Sequence, residues 1–202
     1  MKSFISDGYE ALAFDLDGTL YDEYDFIKQA YLPVSETMAS KQDQEKMYEM
    51  LCQLWLIHGS SANIFQMAYE EFYSRPMDKQ LLTDCVDSFR KAELSLQLND
   101  RTSGILDLCK DVPKVIITDG NSQLQRKKIK ALGLDRWFRE EDIFVSGDYG
   151  KNAYKPNPYM GDLVKKRLKT DKILYFGDRK IDEEFADNAG FAFRMVKNMI
   201  SI

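Results

Sequence analysis

Residues 14–24 read FDLDGTLYDEY, with Asp15 and Asp17 either side of one leucine, an apolar run at 11–14 before them and a Gly-Thr turn after. An apolar run that stops abruptly at acidic residues and a glycine reads as a buried strand reaching the edge of a parallel sheet. Four more short β-rich runs followed by turn residues lie at 115–118, 143–146, 173–176 and 191–196, each reading as a strand buried on both faces. Helical patterns fill 122–132, closed by Gly133, then 157–168, then 182–189, closed by Gly190. Strands alternating with helices of that length predict an α/β fold, a Rossmann-like doubly wound parallel sheet.

Between 22 and 98 the strand signals vanish. Apolar residues recur at helical spacing, as in Met47, Met50, Leu51, Leu54 and Phe65, Met67, Ala68, Phe72, which predicts an inserted helical cap domain of four or five helices. The expected division is a core of 1–21 with 99–202 and a cap of 22–98. The insertion holds 13 acidic and 7 basic residues, a net −6, so the remainder carries +1 of the total −5. That balance argues against a basic cap gripping polyanions, and no basic stripe predicts a nucleic-acid polymer as partner.

With 202 residues, 44% apolar and 30% charged, the chain has the usage of an ordinary globular protein. Asp7 and Glu10 interrupt any apolar leader, and no uncharged run approaches spanning length, so a cytoplasmic protein without membrane contact is expected. Cys52, Cys85 and Cys109 lack CxxC spacing and read as small core residues. The aromatic residues Trp55, Phe65, Tyr69, Phe72 and Tyr73 read as helix packing rather than a substrate-facing wall.

Ligands of open parallel sheets bind beyond the carboxyl ends of the strands. There lie Asp15 and Asp17, then Thr118, Asp119, Gly120 and Asn121, then Asp178 and Asp182, while Lys155 precedes a helix in YKPNP. Carboxylates without histidine suit a hard cation, Mg²⁺ before zinc, since the single His58 lies in the insertion. In a regular strand Asp15 and Asp17 share a face. One carboxylate could attack phosphorus and the other move protons, with Lys155, Thr118 and N–H groups near Gly120 neutralising the phosphoryl oxygens.

The motifs DLDGT, IITDGN, KPNP and GDRKIDEEFADNAG, in this order and with helices inserted after the first, resemble the haloacid dehalogenase-like phosphohydrolase superfamily, in its branch with an α-helical cap. The resemblance spans residues 9–21 and 99–200; the cap matches by position and helical texture. It implies Asp15 as nucleophile and Mg²⁺ ligand, and Asp17 as general acid/base that gives the metal its backbone carbonyl. Thr118, Asp119, Gly120 and Lys155 would surround the phosphate, Asp178 would complete the metal site directly or through water, and Asp182 would orient water on the metal. Dehalogenases of the superfamily lack the second aspartate, so Asp17 favours phosphate esters. Gly18, Thr19, Leu20 and Tyr21 correspond to the hinge by which such caps open and close.

Several positions depart from the pattern. Asp178 and Asp182 are four apart where many relatives have five, so Glu183 is a rival for the role of Asp182. Arg179 and Lys180 stand where small polar residues are common, and either balance the carboxylates or reach substrate. Asp119 is expected to turn away and orient the following Gly-Asn segment. Lys151 rivals Lys155, but the Lys-Pro pair at the start of a helix favours Lys155. The expected function is Mg²⁺-dependent hydrolysis of a small phosphomonoester, by a monomer or a homodimer. The alternatives are phosphotransfer or mutase chemistry on sugar phosphates, and a non-catalytic metal-binding regulator of the same fold.

Overall fold

A computed structural model describes residues 8–196; Asp7 and the core's last six residues, 197–202, lie outside them. Five parallel strands form one sheet: β1 Ala11–Phe14, β2 Lys114–Thr118, β3 Ile143–Val145, β4 Ile173–Gly177 and β5 Ala192–Met195, in the order β3-β2-β1-β4-β5. Central β1 pairs with β2 on one side and β4 on the other, with Phe14 opposite both Ile116 and Phe176. The chain builds outward from β1 through β2 to β3, then returns to lay β4 and β5 on the far side. The order therefore reverses at β1, where the crevice of an open α/β sheet forms.

The helices are α1 Glu23–Met38, α2 Gln44–His58, α3 Ile64–Tyr73, α4 Lys79–Lys91, α5 Asp100–Leu108, α6 Ser122–Ala131, α7 Tyr159–Leu168 and α8 Lys180–Ala189. Alternation along the strands sets the two faces of the sheet. Ala11, Ala13, Val115, Ile117, Ile173 and Tyr175 pack in one cluster with Met160 and Val164 of α7 and Phe185 and Ala186 of α8. Phe14 points the other way, stacking on Phe176 at 5.1 Å and meeting Phe138 edge-on at 6.1 Å. Four strands are buried along their length, as expected of a covered parallel sheet. β5 is the exception: it is an edge strand, and Arg194 and Met195 are exposed.

The chain divides into two compact units, one holding the chain up to Glu23 and from Leu96 onward, the other Tyr24–Ser95. In the helical unit, Phe26, Tyr31, Phe65 and Phe89 form an aromatic cluster with centroids 5.2 to 5.9 Å apart. Its return segment is tied to its first helix by the Gln29 amide, which donates to Ser95 O at 3.1 Å and accepts from Ser95 N at 2.6 Å. Cys52, Cys85 and Cys109 are buried free thiols. Among the described residues no helix is long and apolar enough to cross a membrane.

Candidate active site

Strand β1 ends at Phe14, but its ladder continues one residue, with Asp15 N donating to Phe176 O at 2.8 Å. Asp15 keeps the direction of Ala11 and Ala13, toward the face covered by α7 and α8, and is 1% exposed. The chain then turns through Gly18, whose φ is +78°. The regular-strand expectation therefore fails after Asp15, and the two aspartates diverge. Asp15 faces Lys155, whereas Asp17 accepts from Lys128 Nζ at 2.8 Å, from Gln125 Nε2 at 2.7 Å and from the Tyr21 hydroxyl.

Lys155 lies in the loop after β3 and before α7, its bond to Pro156 cis; Pro158, not Pro156, caps the helix. Its ammonium is 2.6 Å from Asp15 Oδ1, 2.6 Å from Asp182 Oδ1 and 2.8 Å from the Tyr175 hydroxyl, which donates onward to Asp182 Oδ1 at 3.0 Å. All three ammonium protons are thus committed. Lys151 is exposed. Burial opposes the Lys155 charge, but Asp15, Tyr175 and Asp182 outweigh it and raise its pKa well above the usual lysine range.

Asp182 opens α8. Its Oδ1 serves Lys155 and Tyr175, and its Oδ2 accepts the Arg179 N–H at 3.1 Å, so both oxygens have protein donors. Asp15 differs, since Oδ1 is held by Lys155 while Oδ2 is buried without a partner among the described residues. Carboxylate oxygens of Asp15, Asp178 and Asp182 lie within 4.8 Å of one another. Burial raises Asp15 well above the ordinary carboxylate range, against the pull of Lys155, and the Asp182 charge adds to the rise. Burial and Asp182 likewise push Asp178 to about 6, against Arg179. The Lys155 ammonium and the nearby Arg179 guanidinium leave one of the three carboxylate charges unbalanced. The orphaned oxygen, the hard donor set and the surplus negative charge together fit a divalent cation.

Glycine makes room for this crowding. A Cβ on Gly18 would sit 2.3 Å from Asp178 Oδ2, and one on Gly177 2.4 Å from the Asp182 Cβ. Real Cβ atoms do not approach so closely, so the carboxylates occupy space that only glycine leaves.

At the end of β2, Thr118 Oγ1 is buried and 2.7 Å from Gln125 Nε2. Asp119 turns away as expected, but it bears on the Gly-Asn segment only through the Ser146 hydroxyl, which bonds its carboxylate and accepts the Gly120 N–H. Its carboxylate accepts the Lys155 backbone N–H at 3.2 and 3.3 Å, fixing the loop that carries the lysine. Asn121 caps α6 instead, accepting from Leu124 N at 3.1 Å, and the Gly120 N–H is taken by Ser146 Oγ at 3.1 Å. Burial raises the Asp119 pKa despite nearby Lys155, which suits a carboxyl turned away from an anion.

Three residues of the site, Gln125, Lys128 and Tyr175, are not among those expected from the sequence, and Tyr21 was expected only as part of the hinge. Gln125 and Lys128 lie on the buried side of α6 with Leu124 and Ile129, and polar residues on an apolar stripe were the available signal. Tyr175 is the one hydroxyl in the buried strand ILYFG, where it needs a partner. Around Asp17, burial works against the charge, but Lys128, Gln125 and Tyr21 overcome it and hold the carboxyl below its ordinary pKa. The assembled site offers an under-bonded carboxylate oxygen for nucleophilic attack, and a second carboxylate wired to proton donors.

The family model for haloacid dehalogenase-like hydrolases matches residues 9–190. A phosphorylated carbohydrates phosphatase of Thermotoga maritima is 26% identical over 195 residues, 90% of this chain and 82% of that protein. An N-acylneuraminate-9-phosphatase of Mus musculus is 26% identical over 164 residues, 73% of this chain and 64% of the relative. In fold, a HAD-superfamily hydrolase of subfamily IA from Geobacter sulfurreducens superposes with a TM-score of 0.66 at 18% identity, covering 95% of this chain and 93% of that one. With the family model spanning nearly the whole described chain, this protein belongs to the haloacid dehalogenase-like hydrolases.

Proposed function

We propose that the protein is a Mg²⁺-dependent phosphatase that hydrolyses a small phosphomonoester through an aspartyl-phosphate on Asp15. The observation that carries this is Asp15 Oδ2, buried and without a partner among the described residues, beside Asp178 and Asp182. The names of the two phosphatase relatives support a phosphomonoester, and a phosphorylated sugar as its type.

In the first half-reaction the Asp15 carboxylate bonds to phosphorus as the ester P–O bond breaks, and Asp17 gives its proton to the leaving oxygen. In the second, water attacks phosphorus, Asp17 takes its proton, and the bond to Asp15 breaks to release inorganic phosphate. Lys128, Gln125 and Tyr21 hold Asp17 as the anion that the second half requires. The proton that Asp17 takes from water is the one it gives to the leaving oxygen in the next turnover, and the Lys128 ammonium and the Tyr21 hydroxyl, both in contact with it, steady the anion in between. Thr118 offers its hydroxyl to the phosphoryl oxygens. Asp15 and Asp178, with the Asp17 carbonyl, would hold Mg²⁺, which supplies the positive charge that lets a phosphoryl dianion approach a carboxylate. Both oxygens of Asp182 have protein donors, so its part is to fix Lys155 and Tyr175. We read the helical unit, residues 24–95, as the cap of this family branch.

The test is hydrolysis of an aryl phosphate with Mg²⁺, with EDTA, and by Asp15→Asn. Turnover by the wild type that EDTA and the substitution each abolish is expected. A folded, Mg²⁺-binding wild type that releases no phosphate from any of a panel of phosphomonoesters would overturn the reading.

A further inference from the structure

The cations around the carboxylates are not equally available. Lys155 spends its three protons on Asp15, Asp182 and Tyr175. Lys128 is committed to Asp17. Arg179 follows Asp178 at the end of β4, and its backbone N–H, not its side chain, holds Asp182. Its guanidinium senses the charges of Asp15, Asp182, Asp178 and Glu23. Yet among the described residues no carboxylate forms an ion pair with it, and its Nε is buried without a hydrogen-bond partner. A buried guanidinium N–H left unsatisfied costs about 1–3 kcal/mol, so its orientation needs a reason. Charge balance with the carboxylates does not satisfy that N–H, because no carboxylate oxygen accepts from it.

We propose that Arg179 grips the non-bridging oxygens of the phosphoryl group that Asp15 receives. The guanidinium presents a planar fork matched to phosphate oxygens; Arg179 follows Asp178, whose carboxylate clusters with that of Asp15, so a phosphoryl group on Asp15 would bring acceptors toward its unpartnered Nε. The ammonium of Lys155 then organises the nucleophile, and Arg179 is a side-chain cation beside Asp178 that is left for the substrate. This rests on the phosphatase reading of the same site and extends it: the grip is on the phosphate itself, so it is indifferent to the rest of the substrate.

Inorganic phosphate is the probe, titrated by calorimetry into wild type, Arg179→Met and Arg179→Lys, each with Mg²⁺ and with EDTA. KM and kcat are measured alongside, on an aryl phosphate and on a phosphomonoester bearing a carboxylate. The expected result is phosphate affinity reduced about tenfold or more in Arg179→Met under either condition, since a charge-assisted hydrogen bond is lost. Arg179→Lys should fall between, and KM should rise by the same factor for both substrates. Should Arg179→Met fail to fold, Arg179→Lys alone carries the test, because it keeps the charge and loses the fork. Unchanged phosphate affinity overturns the proposal, as does a KM increase confined to the carboxylate-bearing substrate, which would make Arg179 a reader of a second anion. A wild type that binds no phosphate under either condition overturns it too. The two readings fail separately. Wild type that binds phosphate through Arg179 but hydrolyses nothing sinks the phosphatase reading, whereas hydrolysis with undiminished phosphate binding in Arg179→Met sinks only the grip.

Discussion

Replacing Lys128 with methionine isolates the strongest support of Asp17. The ammonium lies 2.8 Å from Asp17 Oδ1, and the two side chains are 4% and 12% exposed. Removing one partner of a buried ion pair costs about 3–5 kcal/mol. Gln125 and Tyr21 still donate to the abandoned carboxylate, which places the expected loss near the lower end, about 3 kcal/mol at pH 7. The sign with pH follows from the direction of the shift. In wild type the folded pKa of Asp17 lies below its unfolded value, so the pair stabilises fully above the ordinary carboxylate range and fades as pH falls through the folded value. In Lys128→Met burial dominates and the folded pKa moves above the unfolded one, so the variant regains stability as acid neutralises Asp17. The gap between the two proteins should be widest at neutral pH and narrow steadily toward pH 4. Urea denaturation at pH 7, 5.5 and 4 reads it. The double variant Asp17→Asn/Lys128→Met should be less destabilised than the sum of its parts by about 1–3 kcal/mol. A gap independent of pH, or additivity within about 0.5 kcal/mol, would refute the reasoning.

Gly18→Ala should damage the cation site more than the fold. The positive φ costs about 1–3 kcal/mol, but the new methyl meets Asp178 Oδ2 at 2.3 Å, so calorimetry should show Mg²⁺ affinity falling at least tenfold; unaltered affinity would contradict the packing argument. Tyr175→Phe removes the hydroxyl between Lys155 and Asp182 and leaves one ammonium proton unsatisfied, for an expected loss of about 1–3 kcal/mol in urea melts; a change under about 0.5 kcal/mol would show that the bridge is dispensable. Asp178 sits at about 6, above its unfolded value. The metal-free protein should therefore gain stability from this group as pH falls from 7 through 6 toward 4, and Mg²⁺ binding should weaken over the same interval. Asp178→Asn should abolish the stability gain, and its persistence in that variant would assign it elsewhere.

The strands and the ends of most core helices were legible because burial on both faces writes continuous apolar runs and because Asn121, Gly133 and Gly190 punctuate them. β5 was misjudged as doubly covered because FAFRMV carries the same β-rich texture as a central strand; its edge position depends on which strand pairs last, a tertiary fact. α5 went unpredicted because its buried residues, Thr102 and Leu106, are too sparse to mark a stripe. At the site, acidic residues announced themselves at strand ends, but the contacts that decide their behaviour did not. Gln125 lies 108 residues from Asp17 along the chain, and Lys155 lies 140 from Asp15. No local pattern encodes such pairs. Asp119 shows the same limit: its neighbours suggested a local turn role, and the fold supplied the Lys155 backbone instead.

The Gln125 amide carries a further consequence. Asp17 is an anion, so the amide can face it only with its nitrogen, and that same nitrogen also reaches Thr118 Oγ1. Thr118 is thereby made an acceptor on its inner side, and its single proton is left to point outward. The polarity of the hydroxyl at the end of β2 is thus dictated by the charge of a residue at the end of β1. Once Asp17 carries a proton, the amide is free to turn over and draw the Thr118 proton back to its own oxygen. Two adjacent strand ends then act as one register of proton positions, in which setting the acid/base also sets whether the neighbouring hydroxyl gives or receives.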